Sequence, residues 1–349
     1  MRYLDTYKPI KVLMLCLIVA LTSCEQNTNP ANDTAIRLAP ADGTEVKGQA
    51  ATEDATVWAY KTVGETSSWL FNCDEDGRGA TINTSANTIE LDLKDDETAV
   101  PTEYWSNDKY TFFSLWPHVE GASVTVGDNL TFDFNALNQV DQLVSFNNYK
   151  FDGNAARTTA VDFTYDHALA KIYIKLTKNS ANNDDVVKLR KVTLKGFYPS
   201  GTCTVSNTIS WVSGGDKNTT EKVLYEATVD NALTLENTTA YTVGATTDVD
   251  GGYLVIPQSV TANAIMLTVD YDFYRTSASS EENPTIEDVE RESKSIFTYL
   301  PNATIKQWAW GKKHTYNCIL KAESSKIMFT TPDIEPWNKK QVGGTIIIQ

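Results

Sequence analysis

The chain has 349 residues and carries 30 Lys and Arg against 45 Asp and Glu, a net charge of −15. Nucleic-acid binding depends on basic side chains that neutralise phosphates, so this acidic balance argues against a nucleic-acid partner. The length exceeds what one hydrophobic core usually organises, which predicts two domains.

The first residues have the pattern of a bacterial lipoprotein signal peptide. Three basic residues precede an apolar run at residues 12–21, and small residues stand directly before Cys24. An apolar run of about ten residues is too short to cross ~30 Å of hydrocarbon. We therefore predict a signal peptide at residues 1–23, lipidation of Cys24 and a polar tether at residues 24–35. The lipid would hold the protein at a membrane face.

The rest of the chain has an all-β composition, rich in β-branched and aromatic residues, with short alternating segments between glycine-containing turns. Such spacing predicts β-sandwich domains. Periodicity is lost between residues 135 and 160, so we place an N-terminal sandwich at residues 36–158 and a C-terminal sandwich at residues 159–349. The expected strands include 56–60, 88–93, 110–116, 123–126, 130–134, 161–167, 170–176, 192–197, 203–211, 223–229, 253–256, 264–274, 296–300, 314–320, 326–330 and 345–348.

The histidines give no sign of catalysis. His118, His167 and His314 belong to no recognisable metal-ligand motif, and the nucleophile elbow G-x-S-x-G is absent. A Ser-His-Asp triad brought together by folding stays open at this point. We expect structural or surface roles for the three histidines, and we predict that the chain is not an enzyme and needs no cofactor or metal.

One loop resembles the start of a calcium-binding loop through Asn72, Asp74, Asp76 and Gly77. Its first position lacks the usual Asp, and its twelfth position is Asn83 rather than Glu. An ordinary solvated loop is therefore the favoured interpretation.

Tryptophans and cysteines have structural and functional interpretations. Exposed tryptophans could form a sugar-binding platform, but a sandwich core also uses such residues, and we favour the core. Cys73, Cys203 and Cys318 are an odd number, so at most one pair can close; we expect buried apolar thiols. The tryptophans are Trp58, Trp69, Trp105, Trp116, Trp211, Trp308, Trp310 and Trp337.

A series of motifs, in a fixed order behind the lipid attachment site, resembles the fimbrillin family of Bacteroidetes, whose members build type V pili. The resemblance implies two tandem transthyretin-like, Greek-key sandwich domains and partnership with other fimbrillin-like subunits. It also implies that a trypsin-like protease removes an N-terminal strand, so that a strand of the next subunit can fill the groove by β-augmentation. The motifs are Tyr110–Pro117, Asp141–Val144, Val161–Ile172, Val192–Gly196, Leu254–Gln258, Trp310–Tyr316 and Ile327–Trp337.

The sites that the resemblance implies are only partly matched. Family members are cut at an Arg that precedes a small residue, whereas this chain offers Arg37 before Leu38 or Lys47 before Gly48. If neither bond is cut, the protein keeps its lipid as an anchor or accessory subunit. The expected donor strand, with an ordinary last strand as the alternative, consists of Thr345, Ile346, Ile347 and Ile348.

Two functions therefore remain in view. The first is a fimbrial subunit or anchor that assembles by donor-strand exchange, located at the outer membrane or, once processed, in the fimbrium. The alternative is a lipid-anchored adhesin or glycan-binding module whose ligand is a host protein or a glycan.

Overall fold

The computed structural model describes residues 38–40, 52–83, 88–151, 161–180, 184–217, 220–245, 250–275 and 290–341. These residues form an all-β protein, as predicted, in which the described helical structure is a single 3-10 turn at Ala136–Asn138. The first strands are β1 (Leu38–Pro40), β2 (Thr52–Val63), β3 (Thr66–Trp69), β4 (Arg78–Asn83), β5 (Thr88–Leu91), β6 (Lys109–Trp116), β7 (Ser123–Val124), β8 (Leu130–Asn135), β9 (Leu143–Lys150), β10 (Val161–His167), β11 (Ala170–Lys178), β12 (Val186–Lys195) and β13 (Ser200–Val205).

The remaining strands follow at the same short spacing. They are β14 (Ile209–Gly214), β15 (Glu221–Glu226), β16 (Leu233–Thr234), β17 (Tyr241–Thr242), β18 (Tyr253–Val255), β19 (Gln258–Ser259), β20 (Met266–Arg275), β21 (Glu290–Tyr299), β22 (Gln307–Trp308), β23 (Lys312–Lys321), β24 (Lys326–Phe329), β25 (Asp333–Pro336) and β26 (Lys340–Gln341).

The first unit is built around sheet A, whose strand order is β1-β10-β9-β6-β2-β4-β5, with β3 and β26 attached beside it. Sheet A is buried on both faces. Phe112 belongs to the core on one face of sheet A, and Phe113 belongs to the core on the other face. Sheet B, with the strand order β14-β13-β8-β7, covers the core that contains Phe113. This double burial explains why β6 is buried at every position after Lys109 rather than at alternate positions.

The second unit is a sandwich of two further sheets around its own core. Sheet C has the order β17-β11-β23-β24, with β18 and β25 attached, and sheet D has the order β15-β12-β20-β21, with β16 attached. Ile174 of sheet C and Val269 of sheet D belong to the same buried cluster, which is the core between these sheets. The small pair β19-β22 lies beside them.

Sheets of the first unit take strands from both sides of residue 158. Strand β10 joins sheet A by pairing with β9, and the β13-β14 hairpin joins sheet B by pairing with β8. Hydrogen bonding therefore runs across the predicted boundary. The division at residues 36–158 and 159–349, the tandem arrangement and the transthyretin-like topology stay predictions.

Most of the expected strands are found, but one prediction was wrong and several strands, among them β3, β4 and β9, were missed. Residues 203–211, expected as one strand, form parts of β13 and β14 with a turn at residues 206–208, so that prediction was wrong. Strand β9 was missed because its second half, Phe146 onward, is largely polar and hides the alternation. The expected strand at residues 345–348 lies outside the described residues.

Candidate functional site

Strand β10 is a short strand with a fully buried inner face. Val161, Phe163 and Tyr165 alternate with more exposed residues, and all three side chains belong to the sheet A core. The Tyr165 hydroxyl lies 2.8 Å from the Ser114 hydroxyl, and its ring packs edge-on against Trp116 at 5.5 Å. Burial raises the pKa of Tyr165, so this phenol stays neutral.

The backbone pairing of β10 comes in three short pieces. Its last two residues pair with β9, and Thr164 and Tyr165 pair with β26 from the far end of the chain. Val161 to Phe163 pair in parallel with β1, the three residues that directly follow Arg37. Within the described part of the chain, no single neighbour spans the whole of β10.

The C-terminal segment connects the second unit to β10. Strand β25 pairs with β23, and the Trp337 amide then donates to the Gly311 carbonyl at 2.8 Å. The Trp337 ring stacks on His167 with centroids 3.7 Å apart and an interplanar angle of 10°. Lys339 next forms an ion pair with Asp166 at 3.0 Å, after which β26 begins. We call Trp337, Asn338 and Lys339 the C-terminal clasp.

His167 is the buried anchor of the clasp. Its Nδ1 lies 2.9 Å from an Asp141 carboxylate oxygen, and its Nε2 lies 3.0 Å from the Asn338 carbonyl. Both partners are acceptors, so both contacts are hydrogen bonds only when both ring nitrogens carry a proton. The arrangement resembles a catalytic His-Asp pair, but the second nitrogen is occupied by a backbone carbonyl rather than by a nucleophilic hydroxyl.

The other two histidines also take structural positions. The His118 Nδ1 lies 2.6 Å from the Thr56 hydroxyl at the surface. His314 is buried, and its Nε2 accepts the Ala309 amide at 3.0 Å. Burial lowers the pKa of His314 to about 4, with a smaller effect from nearby Lys312, so the ring is neutral at pH 7.

In the loop that resembles a calcium site, an acidic side chain forms an ion pair with a lysine. The Asp74 carboxylate accepts from Lys94 at 2.7 Å, and its other oxygen accepts the Asp76 amide at 3.2 Å. Gly77 adopts a φ of +82°, where an added Cβ would meet Trp58 at 2.6 Å. Across the described residues, no three potential metal ligands of the His, Cys, Asp or Glu type cluster together.

The tryptophans and cysteines behave as core residues. Four tryptophans are fully buried, and the others (Trp69, Trp211, Trp310 and Trp337) are half-buried against the cores, so none forms an exposed platform. Cys73, Cys203 and Cys318 are buried free thiols. Burial raises the pKa of Cys73 to about 12, which keeps this thiol protonated and unreactive.

Several predicted site residues lie outside the described residues: Cys24, Arg37, Lys47 and the C-terminal residues Thr345 to Ile348. Within the part of the chain that is described, no helix is long and apolar enough to cross a membrane. No local pattern in the sequence marks the clasp, since His167 and Asn338 are 171 residues apart.

These features define an all-β protein made of packed sheets. A family model described as fimbrillin-like matches residues 44–337. The chain therefore belongs to the fimbrillin-like family, whose members form pili with other subunits and which implies a place at the cell surface or in a fimbrium. This family is not enzymatic.

Solved structures share the fold at low sequence identity. A fimbrial protein from Bacteroides vulgatus is 17% identical, with a TM-score of 0.58, and the match covers 86% of this chain and 99% of that protein. A cell adhesion protein from Bacteroides uniformis is 13% identical, with a TM-score of 0.51, covering 89% of this chain and 99% of that protein. No curated protein sequence matches the chain.

Proposed function

We propose that this chain is a fimbrial subunit that assembles by exchanging the strand next to β10. The observation that carries the proposal is the pairing of β1, which among the described residues holds β10 through the three residue pairs from Leu38–Val161 to Pro40–Phe163. A strand of another subunit can replace so short a pairing, because β-augmentation needs only a free strand edge and a matching set of side-chain positions.

The position of β1 distinguishes the two candidate cleavage sites. A cut after Arg37 makes Leu38 the new N-terminus and leaves β1 attached to β2. A cut after Lys47 separates β1 from β2, which begins at Thr52. Only the second cut frees β1 to leave, so we assign Lys47 as the site that activates the subunit, although the residues around both bonds depart from the family pattern.

Departure of β1 would uncover backbone donors and acceptors at Val161 to Phe163, directly above a hydrophobic core. Val161 and Phe163 are fully buried there. Unpaired backbone groups beside apolar side chains are unfavourable, which favours capture of a replacement strand. The C-terminal residues Thr345 to Ile348 of a second subunit are the proposed replacement, because three of the four are isoleucines and the segment is long enough for three residue pairs.

The uncut form has a different role in this proposal. It keeps the lipid on Cys24 and the polar tether at residues 24–35, and therefore stays at the outer membrane as an anchor or accessory subunit. The cut form leaves its lipid behind with residues 24–47 and enters the fimbrium. Lys47 is then the point that decides between the two locations.

Limited digestion of the exported chain, residues 24–349, with a trypsin-like protease tests the assignment. Wild type and Arg37→Gln should give a ladder of detergent-resistant oligomers on gels, with Gly48 as the new N-terminus. Lys47→Gln should stay monomeric, and Lys47→Arg should restore the ladder. A chain that ends at residue 344 should be cut but should not polymerise.

Two results would overturn the proposal. One is an undiminished ladder from Lys47→Gln, which would place activation elsewhere. The other is a wild-type chain that begins at Gly48 and remains strictly monomeric at high concentration. The adhesin alternative loses its original motivation, because none of the eight tryptophans is exposed.

A further inference from the structure

We propose that the outer face of sheet D binds a neutral oligosaccharide, independently of fimbrial assembly. A cavity of about 590 Å³ lies on this face, across β12, β20 and β21 and against the residues that follow β15. Its volume is within the range of small-ligand sites in proteins. The face points away from the core between sheets C and D.

A β-bulge supplies the basic side of the cavity. Along β12, Leu189 pairs with Tyr271 and Lys191 pairs with Asp270, so Arg190 is an extra residue without its own partner in the ladder. Buried and half-buried residues alternate before the bulge, whereas Arg190 and Lys191 are both half-buried. The bulge thus places two consecutive basic side chains on one face, as bulges near binding sites often do.

A buried carboxylate fixes the polar groups of the cavity. Asp272 is 1% exposed and accepts hydrogen bonds from Arg190 at 2.9 Å, Arg291 at 3.1 Å and Ser293 at 2.7 Å. Burial alone would raise the pKa of Asp272, but these three donors hold it below its usual value. The two guanidinium groups are therefore held in place before any ligand arrives.

The same guanidinium groups keep donors available for a ligand. Arg190 uses Nε and Nη1 on the Ala227 carbonyl and Asp272, and Arg291 uses Nη2 on Asp272. Among the described residues, the remaining nitrogens of both side chains have no hydrogen-bond partner. Asp270, which accepts from Ser295 at 2.5 Å, adds a carboxylate with acceptor capacity left over.

Two exposed aromatic rings continue the site along β21. Phe297 and Tyr299 are 65% and 41% exposed, and they follow Ser293 and Ser295 on the same side of the strand. Their ring centroids are 6.4 Å apart, with an interplanar angle of 82°. Large apolar side chains next to one another on the surface commonly mark an interaction site.

This combination of groups matches the chemistry of a sugar chain. Carboxylate and guanidinium pairs hydrogen-bond neighbouring hydroxyls, and aromatic faces pack against the C–H faces of sugar rings. At about 3.3 Å per residue, the row from Ser293 to Tyr299 is roughly 20 Å long, which suits an oligosaccharide rather than one sugar.

Charge decides in favour of a neutral oligosaccharide. Four basic side chains line the cavity. Those of Arg190, Lys191 and Arg291 are balanced by the carboxylates of Asp270, Asp272 and Glu226, which line it too, and the Lys294 ammonium is paired with Glu292 at 2.9 Å. A site for a sulfated or phosphorylated ligand would need a surplus of positive charge, particularly on a chain with a net charge of −15.

The test uses the exported chain with the Lys47→Gln substitution, so that failure to polymerise cannot affect the result. An array of neutral and acidic oligosaccharides of two to eight units identifies the strongest binder, and calorimetry with that oligosaccharide measures Kd. A neutral oligosaccharide should bind. Phe297→Ala and Arg291→Gln should each weaken it at least tenfold, with folding preserved because both side chains are well exposed.

Tyr104→Ala is the matched control, since Tyr104 is an exposed aromatic residue of the first unit and its loss should leave Kd unchanged. Three outcomes would overturn the proposal: no oligosaccharide binds at millimolar concentration, only acidic oligosaccharides bind, or both site variants bind as the parent does.

Discussion

Strands β10 and β11 follow one another in the chain with two residues between them, yet their backbone pairing with neighbouring strands differs. The nine residues of β11 pair with β23 over eight consecutive positions, and β17 and β18 pair with it as well. The seven residues of β10 are held by three partners that contribute two or three pairs each. Continuous pairing fixes β11 along nearly its whole length, whereas the divided pairing of β10 is the feature on which the proposed strand exchange depends.

The buried histidines of these regions repeat the contrast. His314, opposite Ile172 of β11, is neutral and accepts one backbone amide, and its Nδ1 has no hydrogen-bond partner in the described part of the chain. His167, at the end of β10, has acceptors at both nitrogens and a tryptophan ring against its face. The His314 ring therefore packs inside a core, whereas the His167 ring binds the C-terminal segment that follows the second unit.

The largest expected effect is in β11. Ile174 is 2% exposed and stands opposite Tyr316 of β23. Ile174→Ala should lower the free energy of unfolding by about 2–5 kcal/mol, because it removes buried surface and leaves a cavity. Urea denaturation measures this loss. Val212→Ala, at an exposed position of β14, should stay within about 0.5 kcal/mol. Equal losses from both variants would contradict a rigid β11.

The second effect is a pH dependence from His314. Its folded-state pKa of about 4 lies below the unfolded value of 6.5, so the unfolded chain takes up the proton first as pH falls. Stability is complete above pH 6.5 and should decline as pH falls toward 4, by up to about 3 kcal/mol. His314→Gln should remove this pH dependence. The measurement is the free energy of unfolding in urea for wild type and variant, compared across this pH range. His118→Gln should keep it, and a slope that survives His314→Gln would refute the assignment.

The clasp should show a smaller, local effect. Trp337→Ala removes the ring stacked on His167 and should cost about 2 kcal/mol, since the side chain is half-buried. Trypsin should then cut the bond between Lys339 and Lys340 faster. Ile334→Ala, exposed on β25, should leave the rate unchanged. Unchanged trypsin resistance in Trp337→Ala would mean that the clasp does not hold the segment.

The smallest effect is expected at the rim of the clasp. The ion pair of Lys339 with Asp166 is solvent-exposed on the lysine side, and such pairs contribute less than about 0.5–1 kcal/mol. Lys339→Ala should therefore change the unfolding midpoint in urea only slightly, and added salt should remove even that difference. A loss as large as that of Trp337→Ala would show that charge, rather than ring stacking, fastens the segment.

Much of the fold, but less of the site, could be predicted from the sequence. The alternation in the sequence was enough to predict strands at residues 161–167 and 170–176, which the structure contains as β10 and most of β11. It could not reveal the clasp, because no local pattern marks Trp337 as the partner of His167. The cavity on sheet D was equally hidden, because the bulge at Arg190 exists only through the register between β12 and β20.

The sequence by itself determined the all-β class, the strand faces and the lipoprotein-like start, since composition, period-two alternation and a short apolar run are local properties. Only the tertiary structure decided which strands are neighbours. It placed β10 and the β13-β14 hairpin in the sheets of the first unit, and it set β1 and β26 against one strand. The physical reason is that alternation specifies which face is buried, whereas pairing depends on long-range hydrogen bonds and on the packing of whole sheets.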